Sequence, residues 1–217
     1  MKINRKQDLE YSAKHSYQSG SIQEQYENER FSGILGRYRY AREQRAVTSI
    51  VEMLPKRVSI ADCPCGSGRW WPVLAKRANH IIAIDVSQGM LKFAKDKIKN
   101  YDIKIEVREG NAEYLDLEDD SVDFIFSHAL TKHLPIPVQY KVLAEFSRIS
   151  RRGVICSFGI FSHVTYELWR HRHIEESYPT YIEELRWMAK SAGLIIRTMR
   201  KCTTPIGVEY TVLFDKI

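Results

Sequence analysis

Short apolar runs alternate with longer amphipathic stretches over residues 58–160. The apolar runs at 58–62, 80–84 and 103–108 are bounded by polar or turn-forming residues, and their length is typical of buried strands. Between these runs, apolar positions recur at helical spacing. Such an alternation predicts a doubly wound α/β fold, in which helices cover both faces of a mostly parallel sheet.

The same pattern continues to the end of the chain and brings the predicted sheet to seven strands. The other four predicted strands are 122–127, 153–159, 194–199 and 208–214. The predicted helices of this part of the chain are 69–78, 87–100, 137–149 and 180–192.

The region before the first strand has a helical pattern of its own. Apolar positions recur at i, i+3 and i+4 spacing over 42–54, and helical periodicity is also present over 22–31. Gly33 and Gly36 separate these two predicted helices. No internal repeat or Gly/Ser linker marks a further boundary. The predicted units are a helical extension, 1–56, and one α/β domain, 57–217.

Composition limits the class of protein. The chain has 217 residues, of which 44% are hydrophobic, enough for the core of one domain. No run approaches the roughly 18 apolar residues that span a bilayer, and no apolar segment follows the charged N-terminus. These observations predict a cytoplasmic protein without a membrane span.

Charge and cysteine content add two further limits. The net charge of +6 is mild and leans toward the N-terminal region, so ordinary surface solvation and an RNA-binding surface both remain open. Cys63 and Cys65 form a Cys-x-Cys pair, but structural zinc takes four ligands and no second pair accompanies them. We therefore predict no metal site.

The first apolar run ends in Asp62 and leads into a turn that contains Gly66 and Gly68. A strand, a glycine turn and a helix start together bring backbone N–H groups close to a nucleotide-like ligand. The second apolar run ends in Asp85, whose carboxylate can accept hydrogen bonds from both hydroxyls of a ribose. Two such strand ends predict a pocket for an adenosine-containing cofactor.

Trp71 indicates whether the predicted pocket suits a dinucleotide cofactor. A dinucleotide fingerprint, G-x-G-x-x-G, uses its third glycine to let the helix pack close to the strand. Trp71 stands at the position of that third glycine, so a dinucleotide site is disfavoured.

At Asp62, Gly66, Gly68 and Asp85 the chain resembles the class I S-adenosylmethionine-dependent methyltransferases, whose first motif reads roughly D-x-G-x-G-x-G. Pro64 departs from that motif, because it stands where the first glycine usually lies, fixes φ near −65° and lacks an N–H. Further resemblances follow in the family's order at 109–113, 119–127 and 130–135.

The resemblance implies a Rossmann-like methyltransferase fold, an N-terminal lid, a closing antiparallel hairpin and S-adenosylmethionine as cofactor. Asn111 replaces the family's adenine-binding acid, but its amide can still pair with the adenine amino group. The implied cofactor contacts are Arg37, Tyr38, Asp62, Cys63, Pro64, Gly66, Gly68, Asp85, Val86, Met90, Asn111, Ala112 and Ser127. For Arg37 and Tyr38, ordinary surface packing is the alternative.

Methyl transfer is an in-line displacement, so the enzyme mainly aligns the reactants and excludes water. His133 lies where many related enzymes carry a histidine, and an imidazole pKa near 6.5 suits a base at neutral pH. His128 is the second catalytic candidate. The alternative is a capping or packing role for each. Histidines and aromatic residues within 159–180 suit a polar aromatic pocket, although a solvated amphipathic helix explains them equally.

We therefore expect a methyltransferase acting on a small molecule at oxygen, nitrogen or activated carbon. The chain lacks an Asn-Pro-Pro-Tyr type motif after strand four, which argues against methylation of exocyclic base amines. An RNA methyltransferase is one alternative. A non-catalytic S-adenosylmethionine-binding protein is another, because Pro64 and Asn111 depart from the family pattern. The sequence does not predict an oligomeric state.

Overall fold

The computed structural model describes residues 33–170, 178–203 and 207–217. The predicted helix at 22–31 lies outside the described residues. The next helix, α1 (Gly33–Val51), is longer than predicted, because Gly36 lies inside it and does not end it. A glycine inside a helix costs about 1 kcal/mol, which burial of the apolar side of α1 can offset.

A mixed sheet forms the centre of the molecule and confirms the predicted fold class. The strands are β1 (Val58–Asp62), β2 (Ala78–Asp85), β3 (Lys104–Glu109), β4 (Val122–Ser127), β5 (Ser150–Phe161), β6 (Thr180–Tyr181), β7 (Leu194–Lys201) and β8 (Glu209–Lys216). Seven of them follow the order β3-β2-β1-β4-β5-β8-β7. Neighbouring strands from β3 to β5 are parallel, whereas β8 is antiparallel to both β5 and β7.

Seven of these strands match the predicted ones within a few residues, and the closing antiparallel hairpin is confirmed in β7 and β8. The two-residue β6 was not predicted and pairs only with the end of β5. The remaining helices are α2 (Trp71–Leu74), α3 (Gln88–Lys97), α4 (Ile136–Ile149), α5 (His163–Arg170) and α6 (Ile182–Ser191).

The prediction of a helix over 69–78 is wrong in extent, since α2 covers only four residues. After α2, the N–H groups of Lys76 and Arg77 donate to carbonyls three residues back, so the chain tightens into turns. The side chains of Trp70 and Trp71 are both buried, and β2 begins at Ala78. The segment between β1 and β2 is therefore held by the packing of two large side chains and contains only one turn of regular helix.

Two apolar clusters cover the two faces of the sheet, as a doubly wound fold requires. One cluster joins the sheet to α4 and α6, and the other joins it to α1, α2 and α3. Ala61 contributes to the first cluster and Ile60 to the second, so β1 is buried on both faces. Within the described ranges, no helix combines the length and the apolar character needed to cross a membrane.

Candidate cofactor and acceptor site

The carboxyl ends of the five parallel strands meet at one edge of the sheet. Asp62 ends β1, Asp85 ends β2, Glu109 ends β3 and Ser127 ends β4. In the ladder, Asp62 is paired with Ala83 of β2 on one side and with Phe126 of β4 on the other. The loops that leave these ends therefore surround one crevice, the usual ligand position in open α/β sheets.

The turn after β1 contains two glycines in a backbone conformation that favours glycine. Gly66 and Gly68 have φ values of +52° and +75°, in the left-handed region. A Cβ on Gly68 would lie 2.8 Å from the indole ring of Trp71. The peptide bond before Pro64 is cis. Gly68 is thus required by its close contact with Trp71, whereas Gly66 is favoured by its positive φ alone.

Asp85 ties the glycine turn to the end of β2. Its Oδ2 accepts a hydrogen bond of 2.8 Å from the N–H of Gly66, and its Oδ1 accepts one of 2.9 Å from the N–H of Ser87. Burial raises the pKa of Asp85, and these two backbone hydrogen bonds act in the opposite direction. A carboxylate offers about four acceptor positions. Asp85 therefore keeps a fixed orientation and further acceptor capacity for a diol.

Asp62 is also buried, but only one of its oxygens has a hydrogen-bond partner among the described residues. Its Oδ2 accepts a bond of 3.0 Å from the indole Nε1–H of Trp71, whereas Oδ1 has none. Burial raises the pKa of Asp62 well above its ordinary value, while Trp71 and the charge of Arg69 lower it. An unsatisfied buried oxygen is costly. It therefore favours a ligand that supplies a donor, above all a cationic one.

The loop after β3 is held against the same crevice. The N–H of Gly110 donates to the carbonyl of Asp85 at 3.1 Å. Asn111 is exposed, and its Oδ1 accepts a bond of 3.0 Å from the N–H of Glu113. Its carbonyl oxygen keeps a second lone pair, and Ala112 beside it is buried. These contacts are compatible with the predicted adenine subsite.

The remaining predicted cofactor residues differ in exposure. Met90 is buried, and its methyl group lies 3.6 Å from the position of a Cβ on Gly66. Val86 is partly exposed at the mouth of the crevice. Arg37 and Tyr38 lie on α1 with exposed side chains, and the guanidinium of Arg42 lies 5.9 Å from the centre of the Tyr38 ring.

The cysteines near the turn do not have the properties of reactive thiols. Burial raises the pKa of Cys63 well above its ordinary value, and it also raises the pKa of Cys65. Burial raises the pKa of Cys156 to about 12. Protonated thiols are weak nucleophiles and poor metal ligands. In the described parts of the chain, no three His, Cys, Asp or Glu side chains converge to hold a metal ion.

A buried cluster of charges joins α1 to the crevice. The Arg69 guanidinium lies 3.1 Å from Glu43 Oε2 and 4.6 Å above the centre of the Trp70 ring. His128 Nε2 lies 3.5 Å from Glu43 Oε1, and His128 Nδ1 lies 3.5 Å from Arg69 Nη2. A guanidinium only donates, so Nδ1 of His128 can interact with Arg69 only as an acceptor.

The family motifs do not single out Glu43 and Arg69. The available signal is that Glu43 falls on the apolar side of α1, at i, i+4 and i+7 spacing with the buried Val47 and Ile50. Because both ring nitrogens of His128 face charged side chains, this histidine is better suited to a positioning role than to proton transfer.

His133, the first catalytic candidate, lies beyond the carboxyl end of β4. It ends a short 3₁₀ turn, Thr131–His133, and its side chain is partly exposed. The hydroxyl of Thr131 donates to the carbonyl of Ser157, and Lys132 forms an ion pair with Glu209 at the start of β8. This turn is therefore held against β5 and β8.

The segment after β5 is described in part. His163 is exposed at the start of α5, with its ring 5.4 Å from that of Tyr181, and the ring of Tyr166 lies 6.3 Å from Tyr181. His171 and His173, which belong to the predicted polar aromatic pocket, lie outside the described residues.

Comparison with known proteins identifies the domain. Residues 60–153 match the family model described as a methyltransferase domain. A demethylmenaquinone methyltransferase from Lactiplantibacillus plantarum is 30% identical over 124 residues, which cover 55% of this chain and 50% of the relative. A ubiquinone/menaquinone biosynthesis C-methyltransferase from Campylobacter jejuni is 34% identical over 110 residues, covering 47% of this chain and 44% of that protein. The chain thus spans about half the length of the curated relatives it matches.

Solved structures resemble almost the whole chain. The magnesium protoporphyrin IX methyltransferase from Synechocystis with bound SAH superimposes with a TM-score of 0.75 at 15% identity, covering 94% of this chain and 98% of that one. A SAM-dependent methyltransferase from Methanosarcina mazei gives a TM-score of 0.64 at 17% identity, with 78% and 97% of the two chains covered. Residues 60–153 therefore match the methyltransferase domain family, and the chain has the fold of the S-adenosylmethionine-dependent methyltransferases.

Proposed function

We propose that the protein is an S-adenosylmethionine-dependent methyltransferase with a small-molecule acceptor. The observation that carries this proposal is the pair of buried carboxylates beside the glycine turn. Asp62 and Asp85 both have raised pKa values because of burial, and Asp62 Oδ1 has no hydrogen-bond partner among the described residues. A ligand with a cationic amine and a ribose diol matches both carboxylates.

In this proposal each side chain at the crevice has a distinct part in holding the cofactor. Asp85 accepts the ribose hydroxyls, Asp62 accepts the ammonium group, and Asn111 pairs with the adenine edge. Val86 and Met90 supply apolar contacts. When bound, the cofactor supplies an electrophilic methyl group on a sulfonium. Other contacts are proposed for the turn and its surroundings at Arg37, Tyr38, Cys63, Pro64, Gly66, Gly68, Ala112 and Ser127.

The acceptor side supports a small molecule with a conjugated ring. The rings of His163, Tyr166 and Tyr181 lie together beyond the carboxyl end of β5. Aromatic rings favour flat, conjugated partners by stacking. The names of two relatives, a demethylmenaquinone methyltransferase and a magnesium protoporphyrin IX methyltransferase, refer to acceptors with such rings.

We further propose that His133 accepts a proton when the acceptor loses one. His133 is partly exposed on the acceptor side, so its imidazole is accessible to a bound molecule. His128 is buried between Glu43 and Arg69, and we assign it to holding the wall of the site. The proposed chemistry is therefore alignment by the crevice and proton removal by one imidazole.

Isothermal titration calorimetry with S-adenosylmethionine and S-adenosylhomocysteine tests the cofactor assignment. We expect both to bind; a folded protein that binds neither would overturn the proposal. Turnover is then screened with a pool of small conjugated metabolites and, separately, with unmodified RNA. Methylation of RNA alone, with an affinity that falls steeply with salt, would replace the small-molecule acceptor by an RNA acceptor.

A further inference from the structure

Trp71 occupies an unusual position, directly beneath the glycine turn. Its side chain is fully buried, although the residue stands at the edge of a ligand crevice. Three atoms of its indole lie 2.8 to 2.9 Å from the position of a Cβ on Gly68. The ring of Tyr101 approaches it edge-on, with 5.9 Å between the ring centres. The indole is therefore held between the backbone of the turn and a second aromatic ring.

The polar edge of this indole is directed at one acceptor. Nε1–H donates to Asp62 Oδ2 at 3.0 Å, and both side chains are buried. An indole has no other hydrogen-bonding atom, and a buried Trp N–H usually finds a partner. The bond consequently fixes the rotation of the Asp62 carboxylate. The other oxygen, Oδ1, is buried and has no partner among the described residues.

We propose that Trp71 is a positioning residue for the cofactor, because its N–H holds one oxygen of Asp62 so that the other is available to the ammonium group of the ligand. This inference rests on the proposed function. It assigns to Trp71 a polar role beyond filling the space under Gly68. In this role the residue acts through Asp62 and does not itself contact the ligand.

The titration of Asp62 makes this role measurable. The charged groups that face Asp62 are Asp85, whose charge raises its pKa, and Arg69, whose charge lowers it. The adjacent thiols of Cys63 and Cys65 have raised pKa values and stay protonated at neutral pH. Burial has the largest effect and raises the pKa of Asp62, while the bond from Trp71 lowers it.

These influences on the pKa of Asp62 determine how ligand affinity should depend on pH. Only the carboxylate form of Asp62 attracts a cation, so ligand affinity falls as the pH falls through the pKa of Asp62. Removal of the Trp71 N–H raises that pKa further. The affinity of a Trp71→Phe variant should therefore begin to fall at a higher pH than that of the natural protein.

The first test uses the ligand-free protein. The indole ¹⁵N–¹H resonance of Trp71 is followed by NMR against pH, and it is assigned by elimination with Trp70→Phe, Trp169→Phe and Trp187→Phe. We expect its shift to titrate in the natural protein and to be constant in Asp62→Asn, which keeps Trp71 in place. The inference would be overturned if the chemical shift of this resonance did not depend on pH in the natural protein. It would also be overturned if the shift titrated equally in Asp62→Asn.

The second test is calorimetry with S-adenosylhomocysteine between pH 5 and pH 9. Trp71→Phe should weaken binding roughly tenfold at neutral pH and move the fall in affinity to higher pH, since a hydrogen bond to a charged group is lost. In the Asp62→Asn background, Trp71→Phe should cause little further loss of affinity. If the natural protein binds the ligand and Trp71→Phe has the same dependence of affinity on pH, the positioning role of Trp71 is contradicted and the proposed function is not. If the natural protein does not bind the ligand, the proposed function itself is contradicted.

Discussion

The proposed cofactor half of the crevice, around the loops after β1, β2 and β3, and the proposed acceptor half, around those after β4 and β5, are built in different ways. In the cofactor half, the loops after β1, β2 and β3 hold one another mainly through backbone groups, such as the N–H of Gly66 on Asp85. In the acceptor half, side chains from distant segments meet, as when Lys132 pairs with Glu209, 77 residues away. Loops that are held by backbone groups tolerate few substitutions. Ion pairs between side chains of distant elements can be replaced by other residue pairs. The difference suits a site with one cofactor and an acceptor that varies between relatives.

The two halves also differ in how charge is balanced. Asp62 and Asp85 lie buried, and burial raises the pKa of both carboxyl groups. On the acceptor side, Glu43 faces Arg69 and Glu209 faces Lys132. A cationic ligand would therefore compensate the two carboxylates of the cofactor half. The acceptor half is neutralised internally, which is consistent with an uncharged acceptor.

The largest expected effect comes from adding one methyl group to the backbone frame. Gly68→Ala places a Cβ within 2.8 Å of the buried Trp71 ring at a φ of +75°. Overpacking and left-handed strain together should lower the free energy of unfolding by roughly 2 to 4 kcal/mol, measured by urea denaturation. Gly66→Ala is the matched control, because its nearest neighbour is an ordinary 3.6 Å contact, and it should lose only about 1 kcal/mol. Equal losses in the two variants would contradict the role given to the indole.

The next effect should appear in turnover and not in cofactor binding. His133→Gln removes the proposed proton acceptor and should lower kcat about 100-fold, the lower end of the range for general base catalysis. Its affinity for S-adenosylhomocysteine should stay within about twofold of the natural value. His80→Gln, at an imidazole near the start of β2 and away from the crevice, is the control. Full turnover by His133→Gln would remove the base from the mechanism.

The same division explains which parts of the fold and site could be predicted from the sequence. The cofactor half depends on residues that the chain conformation itself demands, such as Gly66 and Gly68 at positive φ and a carboxylate at each strand end. Such requirements leave a local sequence pattern. Strand positions were predictable for a similar reason, since each buried strand is a short apolar run between turns.

The errors in prediction have a common physical origin in tertiary contacts. Helical propensity around residue 71 extends well beyond α2, but burial of two tryptophans against the sheet ends the helix after four residues. Gly36 resembles a helix break locally, yet the packing of α1 carries the helix through it. Glu43 was missed because its partner Arg69 is 26 residues away and no motif connects the two.

A smaller change is expected when the charge of one cofactor carboxylate is removed. Asp85→Asn keeps the shape of the side chain but weakens its bonds to the ribose, so affinity for S-adenosylhomocysteine should fall by roughly 1 to 2 kcal/mol, measured by calorimetry. Glu109→Gln is the control at the neighbouring strand end, where the carboxylate is exposed and bonded to Gln88. An Asp85→Asn protein with natural affinity would contradict the ribose assignment.

The smallest change tests whether the acceptor half is independent of the cofactor half. Glu43→Gln leaves Arg69 and His128 in place but removes the charge between them. The side chains of this ion pair are 17% and 7% exposed, so its loss should cost about 1 kcal/mol in the free energy of unfolding. Glu183→Gln breaks a far more exposed pair and should cost less than about 0.5 kcal/mol.

Kinetics of the Glu43→Gln variant then separate the two halves. Glu43 faces the wall formed by Arg69 and His128, and its ion pairs within the described residues are with these two side chains. The KM for the acceptor should therefore rise, while affinity for S-adenosylhomocysteine changes less than twofold. Equal losses of acceptor and cofactor binding would mean that Arg69, which lies in the turn itself, transmits the change to Asp62. The two halves would then act as one unit, and the charge balance of each would depend on the other.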